Sequence, residues 1–482
     1  MARSSSGSGG PDDGGPARFP NRRPPCRSRG TGLHRAMRGH PPRRARPVIV
    51  SFNYSDLFED FFPLYGIDQA AFPRFAGTAN HTFLALLQRD VGDVVWYLFT
   101  LASRPWEVRH ETVGCLIRFL PVPWPRRLLR RVVLRVRALR SRGRISRRQD
   151  APGPVPAGRP RIYRTLGYYL TMLSLPFIRA LARDRPDFLF VQDYSTGRYD
   201  LLVLAARLLG IPLVARHAGS RPETYLAPWT KRWTIPAAHR IIVGGGRERE
   251  VLMQRFAVAP ERIAVIPTPI DTELFRPIDR PAACARAGLD PQRRYLLFVG
   301  RLDDRPKQVG LLIRAFARLA AAHLDADLLV VGEGPDGPHL RHLAAESAPG
   351  RIRFLGWIGE RGALVPLYNA AECLVLSSRH EGLPAVVAEA LSCGTPVLAA
   401  RVGEVGEFVV DGETGWLVVP GDEAALVAGL SMVLAHPQEV RALRPRVRAN
   451  AEARLAPSAT AAALRAVFTR PAAPAGLSRQ SA

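Results

Sequence analysis

The sequence has very little lysine, few cysteines and no long uncharged apolar run. Its 482 residues include only two lysines, Lys231 and Lys307, against 66 arginines. The five cysteines are odd in number and widely spaced, which argues against a disulfide framework or a zinc site and fits a reducing, cytoplasmic location. The best apolar segment, residues 166–181, contains Arg179 and is shorter than the roughly 20 residues that a spanning helix needs. We therefore predict no transmembrane helix.

The net charge of +26 comes mainly from two segments. Residues 1–46 contain eleven Arg and two Asp, and residues 126–148 contain eleven Arg and no acidic residue. The other 413 residues carry a net charge of only +6. Neither segment has the interleaved aromatic residues that stack on bases. Nucleic-acid binding through these arginines is kept as the alternative function, and no specific nucleic acid is expected as a partner.

Composition and hydrophobic pattern divide the chain into segments. Residues 1–46 hold almost no aliphatic residues and are predicted to be a disordered basic tail. In residues 47–275 and 276–456, continuous apolar strands alternate with helices, one of them predicted to run unbroken over 164–183, a pattern typical of parallel sheets covered on both faces. We predict an α/β protein with two Rossmann-like, doubly wound domains facing each other across a cleft. The first domain carries a basic insertion, 126–160, and a helix and tail follow at 457–482.

Acidic residues of the second domain fall where ligands bind in open α/β sheets, beyond the carboxyl ends of the strands. Glu381 follows one such strand. Gly382 and Leu383 come next, and their amides precede a helix whose N-terminus is suited to an anion. Glu389 lies eight residues after Glu381 within that helix. It is interpreted either as solvent-exposed or as facing a polar partner such as ribose hydroxyls.

Two cations and two further carboxylates belong to neighbouring strands of the same domain. Arg301 follows the first strand and Lys307 opens the next helical region, so together they suit a pyrophosphate. Asp325 and Asp327 form a D-x-D that precedes its strand and therefore lies at the opposite edge. We interpret these two as solvated loop carboxylates rather than as metal ligands, and no metal or cofactor is expected.

The first domain contributes histidines near the predicted cleft. His217 ends a strand and is expected to project into the cleft. Gly77 and His81 lie in or beside a loop that precedes a helix. A single histidine is usually structural, but two at cleft edges favour a binding role.

Together these motifs resemble the GT-B glycosyltransferases of family 4, whose E-x7-E signature corresponds to Glu381 and Glu389. The similarity extends in chain order over residues 185–435. Its other matching motifs are Val299-Gly300-Arg301-Leu302, Val331-Gly332-Glu333-Gly334-Pro335, Phe354-Leu355-Gly356, Gly394-Thr395-Pro396-Val397 and Asp411-Gly412-Glu413-Thr414-Gly415.

The resemblance implies a retaining, metal-independent transfer of a sugar from a nucleotide-diphosphate sugar to a hydroxyl group. It assigns catalytic roles to Glu381, His217, Arg301 and Lys307. The donor-binding residues that it implies are Gly300, Arg301, Lys307, Ile358, Glu381, Gly382, Leu383 and Glu389. Gly77 and His81 would approach the phosphates from the first domain.

The basic segment 126–148 places leucines and valines at helical spacing among its arginines. This pattern predicts either an amphipathic helix on an anionic membrane or a solvated charged helix. The membrane interpretation fits a lipid-linked acceptor, so we expect an acceptor glycan, such as a cell-envelope glycan, or a glycolipid. The protein would then be cytoplasmic, with peripheral contact at the inner face of the cell membrane.

Overall fold

A computed structural model of the protein describes residues 45–52, 57–60, 62, 67–75, 79–142, 161–217, 228–382 and 384–469. Most of the predicted basic tail 1–46 lies outside these ranges. So do the second part of the basic insertion, the end of the C-terminal segment, Gly77 and Leu383. The predictions made for those residues therefore stay predictions.

The first domain is built on an eight-stranded sheet. Its strands are β1 Val48–Phe52, β2 Asp93–Thr100, β3 Trp106–Arg109, β4 Leu116–Pro121, β5 Phe188–Val191, β6 Leu213–His217, β7 Arg240–Val243 and β8 Ile263–Val265. Their order is β3-β4-β2-β1-β5-β6-β7-β8, and all neighbours are parallel except the antiparallel pair β3–β4.

Seven α-helices accompany this sheet in the described residues. They are α1 Ala79–Leu86, α2 Trp124–Arg142, α3 Arg161–Thr171, α4 Leu175–Asp184, α5 Gly197–Leu209, α6 Pro228–Thr234 and α7 Gly246–Phe256. The continuous helix expected over 164–183 is wrong, because α3 and α4 are separate helices. Ser174 is extended, and Pro176 stands in the first turn of α4, where its missing N–H costs no hydrogen bond.

The second domain contains a six-stranded, wholly parallel sheet. Its strands are β9 Arg294–Val299, β10 Ala326–Val331, β11 Ile352–Gly356, β12 Cys373–Leu376, β13 Val397–Ala400 and β14 Gly415–Val418. The order β11-β10-β9-β12-β13-β14 reverses direction between β9 and β12. Ligands of such sheets bind in the crevice beyond the carboxyl ends of the strands at this reversal. The topology therefore places the expected site next to Arg301 and Glu381.

The helices that follow complete the second domain and return to the first. They are α8 Arg280–Ala287, α9 Asp304–Lys307, α10 Val309–Ala320, α11 Gly337–Ser347, α12 Val365–Ala370, α13 Ala385–Ser392, α14 Val405–Phe408, α15 Glu423–Ala435, α16 Pro437–Ala442, α17 Arg444–Leu455 and α18 Pro457–Val467. Beyond α18, the Phe468 ring lies 5.5 Å from Phe188 and 5.8 Å from Phe190 of the first sheet. The chain therefore crosses between the domains twice.

Both faces of the second sheet are buried, as its continuous apolar strands predict. Along β9, Leu296 and Phe298 belong to one core cluster, whereas Tyr295 and Leu297 belong to the cluster on the opposite face. Because side chains alternate along a strand, the central positions of β9 need apolar side chains towards both faces. Each fully buried large side chain contributes roughly 1.5–3 kcal/mol of transfer free energy. This rigid sheet supports the loops that carry the charged residues.

Candidate functional site

Lys307 and Glu381 meet at the strand reversal of the second sheet. Lys307 ends α9, beyond the carboxyl end of β9, and its Nζ lies 2.6 Å from Oε1 of Glu381 in the loop after β12. The two side chains keep 24% and 11% of their surface exposed, so the pair stays accessible from the crevice. An ammonium group has three N–H donors, so Lys307 can hold Glu381 and a phosphate oxygen at the same time.

Backbone contacts between two loops bring this pair together. The Ser377 hydroxyl donates to the carbonyl oxygens of Lys307 and Gln308, each at 2.9 Å. The amide of Arg379 donates to the carbonyl of Pro306, also at 2.9 Å. The loop after β12 is thereby tied to α9, and the position of Glu381 relative to Lys307 is fixed by the fold.

Glu389 is buried, so its interpretation as a solvent-exposed residue is wrong. Only 4% of the residue is exposed. Its Oε2 accepts a hydrogen bond from the Tyr368 hydroxyl, and its Oε1 accepts one from Arg361, both at 2.8 Å. Burial and the adjacent Glu389 carboxylate raise the pKa of Tyr368 well above its ordinary value. Glu389 is therefore a carboxylate held in one orientation, with Arg361 on its more accessible side.

Arg361 is a site residue that the sequence did not identify. Its guanidinium lies 4.9 Å above the ring of Phe275, in the segment that joins the two domains. The side chain is largely buried and ion-paired with Glu389. In a chain with 66 arginines, residue type alone does not distinguish this one from those on the surface.

Three other predicted donor residues have contacts elsewhere in the second domain. Arg301 is half exposed, and its nearest carboxylate is Asp303, at 3.9 Å. The amide of Gly300 donates to Val331 at 3.0 Å and so belongs to the sheet edge. Ile358 packs against the second-domain core. The roles predicted for these residues, and for Gly382, stay predictions.

His217 lies at the carboxyl end of β6, buried between two acidic side chains. Its Nδ1 is 3.5 Å from Oδ1 of Asp193, its Nε2 is 4.0 Å from Oε1 of Glu248, and its ring centroid is 4.5 Å from that of Tyr194. Burial raises the pKa of Asp193, but the hydrogen bond and charge of His217 and the bonds from Ser195 outweigh burial and lower it. The imidazole is therefore oriented by acids that the sequence analysis did not identify.

His81 lies inside an aromatic cluster of the first domain. Its ring centroid is 5.1 Å from Trp96, 5.2 Å from His110 and 5.9 Å from Phe72. Burial, followed by the charges of His110 and Arg361, lowers the pKa of His81 to about 3, so the ring is neutral near pH 7. This packing is that of a core histidine, and contact with donor phosphates stays a prediction.

The D-x-D carboxylates are engaged in ion pairs. Asp327 lies 2.5 Å from Arg293 and 3.1 Å from Arg351, and Asp325 lies 2.5 Å from Arg294. Because Asp327 is buried, its interpretation as a solvated loop carboxylate is wrong. Within the described part of the chain, no group of three or more His, Cys, Asp or Glu side chains is arranged to hold a metal ion.

Solved structures share this architecture. HepE from Anabaena, solved with UDP, superposes with a TM-score of 0.62 at 16% identity, over 87% of this chain and 99% of that one. Sucrose-phosphate synthase from Thermosynechococcus elongatus gives a TM-score of 0.61 at 22% identity, over 88% and 98%. The two parallel-sheet α/β domains therefore have the fold of the GT-B glycosyltransferases.

Sequence comparisons place the chain within that class. Residues 125–274 match the family model described as Glycosyltransferase Family 4, and residues 293–436 match the one described as Glycosyl transferases group 1. D-inositol 3-phosphate glycosyltransferase 1 of Catenulispora acidiphila is 34% identical over 320 residues, 60% of this chain and 74% of the relative. D-inositol 3-phosphate glycosyltransferase of Thermobispora bispora is 32% identical over 309 residues, 57% of this chain and 72% of the relative. The chain belongs to the family 4 glycosyltransferases, which confirms the resemblance seen in its motifs.

Proposed function

We propose that this enzyme transfers a sugar from a UDP-sugar to an acceptor hydroxyl, with retention of anomeric configuration and without a metal ion. The observation that carries the proposal is the accessible Lys307–Glu381 pair at the strand reversal. The buried Glu389 lies in α13, the helix that follows the loop of Glu381. UDP is the donor nucleotide of choice because HepE, which shares the fold, was solved with UDP and with UDP-glucose.

Each charged group has a distinct role in this proposal. Lys307 neutralises the diphosphate, and its ammonium stabilises the charge that develops as the nucleotide departs. Glu381 binds hydroxyl groups of the donor sugar, and Glu389 accepts hydrogen bonds from the ribose hydroxyls. His217 approaches the sugar from the first domain, oriented by Asp193. The departing phosphate accepts the proton of the acceptor hydroxyl on the face where the new bond forms.

Nucleotide binding tests the donor site directly. We would measure the thermal midpoint in EDTA, at constant ionic strength, with UDP, GDP and ADP. At 100 times its Kd, a ligand stabilises the fold by about 2.7 kcal/mol. We expect a shift with UDP that Lys307→Ala reduces by at least about half, as a tenfold or greater loss of affinity requires, and that Arg318→Ala, a change to an exposed cation of the same domain, retains. An undiminished shift in Lys307→Ala would contradict the assignment.

The product reports the stereochemistry and the acceptor. Activity would be screened with D-inositol 3-phosphate, the acceptor in the relatives' name, and with lipid-linked glycans. Proton coupling at the anomeric carbon of the product distinguishes retention from inversion. An inverted product would overturn the mechanism while leaving the donor site intact.

A second proposal concerns where the acceptor is met: on an anionic membrane. Helix α2 exposes Trp124, Leu128, Val132 and Val136 at four-residue spacing, and its other positions are rich in arginine. The helix α6 exposes Trp229 and Trp233. Apolar side chains and arginines combined on one helix suit an interfacial position on anionic lipid. Among the described residues, no helix is both long and apolar enough to cross a bilayer.

Vesicle flotation tests this surface. We expect the wild type to float with vesicles containing phosphatidylglycerol and not with purely zwitterionic vesicles. The double change Trp124→Ser with Leu128→Ser should abolish flotation. Leu324→Ser removes an equally exposed apolar side chain from the second domain and should change nothing. Equal flotation with both vesicle types would overturn the membrane proposal.

A further inference from the structure

Two glutamates of the second domain contact the start of a helix in the first domain. Glu404 and Glu407 belong to the loop and short helix α14 that follow β13. Oε1 of Glu407 accepts from the amides of Gly246 and Arg247, and Oε1 of Glu404 accepts from the amide of Glu248 at 3.1 Å. These three amides are among the four that an α-helix leaves unpaired at its N-terminus. The helix α7 is therefore capped from the other domain.

The helix α7 has no side-chain cap of its own, and the glycine before it leaves space for the two glutamate side chains. The residue before α7 is Gly245, whose side chain cannot accept a hydrogen bond. A Cβ at Gly245 would overlap Oε2 of Glu404 and would lie 2.9 Å from Oε1 of Glu407. A Cβ at the preceding Gly244 would meet nothing within 4 Å. Of these two adjacent glycines, only Gly245 lies where an added Cβ would displace the two carboxyl groups from the helix.

The loop that contains Glu404 also packs against the loop that contains Glu381. The amide of Glu404 donates to the carbonyl of Gly382 at 3.2 Å. Gly403 has a φ of +54°, and a Cβ there would overlap the carbonyl oxygen of Glu381. The backbone that carries Glu381 is therefore packed directly against the backbone that carries Glu404.

On the other side, the contacts continue to the first-domain histidine. Glu248 provides the amide that Glu404 accepts, and its own carboxylate accepts from the Tyr194 hydroxyl. That carboxylate lies 4.0 Å from Nε2 of His217. An unbroken series of contacts thus joins the loop of Glu381 to His217.

We infer that Glu404 and Glu407 are positioning residues, an interdomain latch that holds His217 in register with the Lys307–Glu381 pair. The inference deepens the proposed transfer reaction and rests on it. Capping by a carboxylate is favourable at a helix N-terminus because the unpaired amides carry partial positive charge. When the domains separate, both side chains lose their hydrogen bonds from these amides, so the latch favours the closed cleft.

Ionisation gives the latch a distinctive pH dependence. Burial, then the adjacent Glu407, raise the pKa of Glu404 to about 7. The groups that face Glu404 are Glu407 on α14, and the first-turn amides with Glu248 and Arg247 on α7. Arg454 of α17 donates to the Glu407 carbonyl. Because these contacts raise the pKa from 4.5, they favour a protonated Glu404, which still accepts from the amide of Glu248 and can donate to Glu407; this contribution to closure is complete below about pH 4.5 and is lost as the pH rises to about 7.

Hydrogen exchange and kinetics test the latch together. In Glu404→Ala with Glu407→Ala, the amides of residues 246–248 should exchange at least about tenfold faster, because their acceptors are gone. A misplacement of about 1 Å can reduce a rate on the order of 100-fold, so we expect kcat to fall by roughly 10- to 100-fold. The Kd for UDP should stay within about twofold, because Lys307 and Glu389 are untouched.

Single changes supply the controls. Gly245→Ala should reproduce both effects, whereas Gly244→Ala should resemble the wild type. Glu404→Gln keeps an acceptor and a donor towards Glu407, so it should restore kcat and flatten its pH profile between about pH 4.5 and 7. Unchanged exchange in Gly245→Ala, or a UDP Kd that rises as much as kcat falls, would overturn the latch. If UDP does not bind to any variant, the proposed function fails, and the exchange rates still decide the latch.

Discussion

Replacing Lys307 with alanine should weaken UDP binding about 10- to 150-fold. A hydrogen bond to a charged group contributes roughly 1.5–3 kcal/mol, and 1.4 kcal/mol corresponds to a factor of ten in Kd. The loss has a second source in this structure, because Glu381 lies 2.6 Å from the ammonium and is largely buried. Without Lys307, that carboxylate faces the incoming diphosphate as an unpaired negative charge.

The second source can be separated by a double-mutant cycle. Glu381→Gln removes the charge, so UDP should bind at least as tightly as to the wild type while transfer falls. In the double variant the two changes should combine less than additively, with a coupling of about 0.5–3 kcal/mol, as is usual for contacting residues. Titration calorimetry at constant ionic strength measures all four affinities. A Kd for Lys307→Ala within twofold of wild type would refute the reasoning.

Three further predictions concern stability. Tyr368→Phe leaves Oε2 of the buried Glu389 without its donor and should cost about 1–3 kcal/mol, seen as a lower calorimetric midpoint; no change would show that another group replaces the hydroxyl. Glu372→Gln should cost roughly 1.5–3 kcal/mol in denaturant unfolding, because the fully buried Glu372 loses its charged hydrogen bonds with the partly exposed Arg441, whereas Glu439→Gln at the surface should be silent. Burial lowers the pKa of His81 from 6.5 to about 3, so its contribution to the free energy of unfolding is present above pH 6.5 and is lost as the pH falls towards 3. In His81→Phe, the free energy of unfolding should therefore fall less steeply with acidification, by about 1.4 kcal/mol per pH unit in that range. An unchanged slope would contradict the buried, neutral state.

The parallel strands and the helices between them can be predicted from the sequence, because most of these strands are buried on both faces. Strands such as β9 and β10 end in apolar runs, Leu296 to Val299 and Leu328 to Val331, and helices separate the strands along the chain. The short antiparallel β3 has no such signal, since it alternates half-buried with exposed residues. The strand β4 contains Arg118, a charge that a sequence pattern excludes from a core. Its pairing with Asp184 of α4, at 2.8 Å, is a tertiary contact that local pattern does not contain.

The candidate site also contains residues that the sequence predicts and residues that only the structure shows. Lys307, Glu381 and Glu389 fall in loops or helices beside strand ends, and a sheet-edge rule is enough to select them. Arg361, Asp193 and Glu248 orient them or His217, but their partners are distant in the sequence. The contact of Arg361 with Glu389 spans 28 residues, and that of Glu404 with Glu248 spans 156. Such partners are chosen by how the sheets and domains pack, so residue type and local spacing do not reveal them.

Because the chain has only two lysines, chemical labelling of lysine can report directly on the site. Lys231 is buried, with its Nζ 2.7 Å from the carbonyl of Thr196 and 2.8 Å from Asp200. Lys307 is the second of only two lysines, and its ammonium reaches the crevice. An amine-acylating reagent applied to the folded protein therefore has one accessible lysine, apart from the α-amino group. The mass of a single peptide then reports occupancy of the site, without any introduced label.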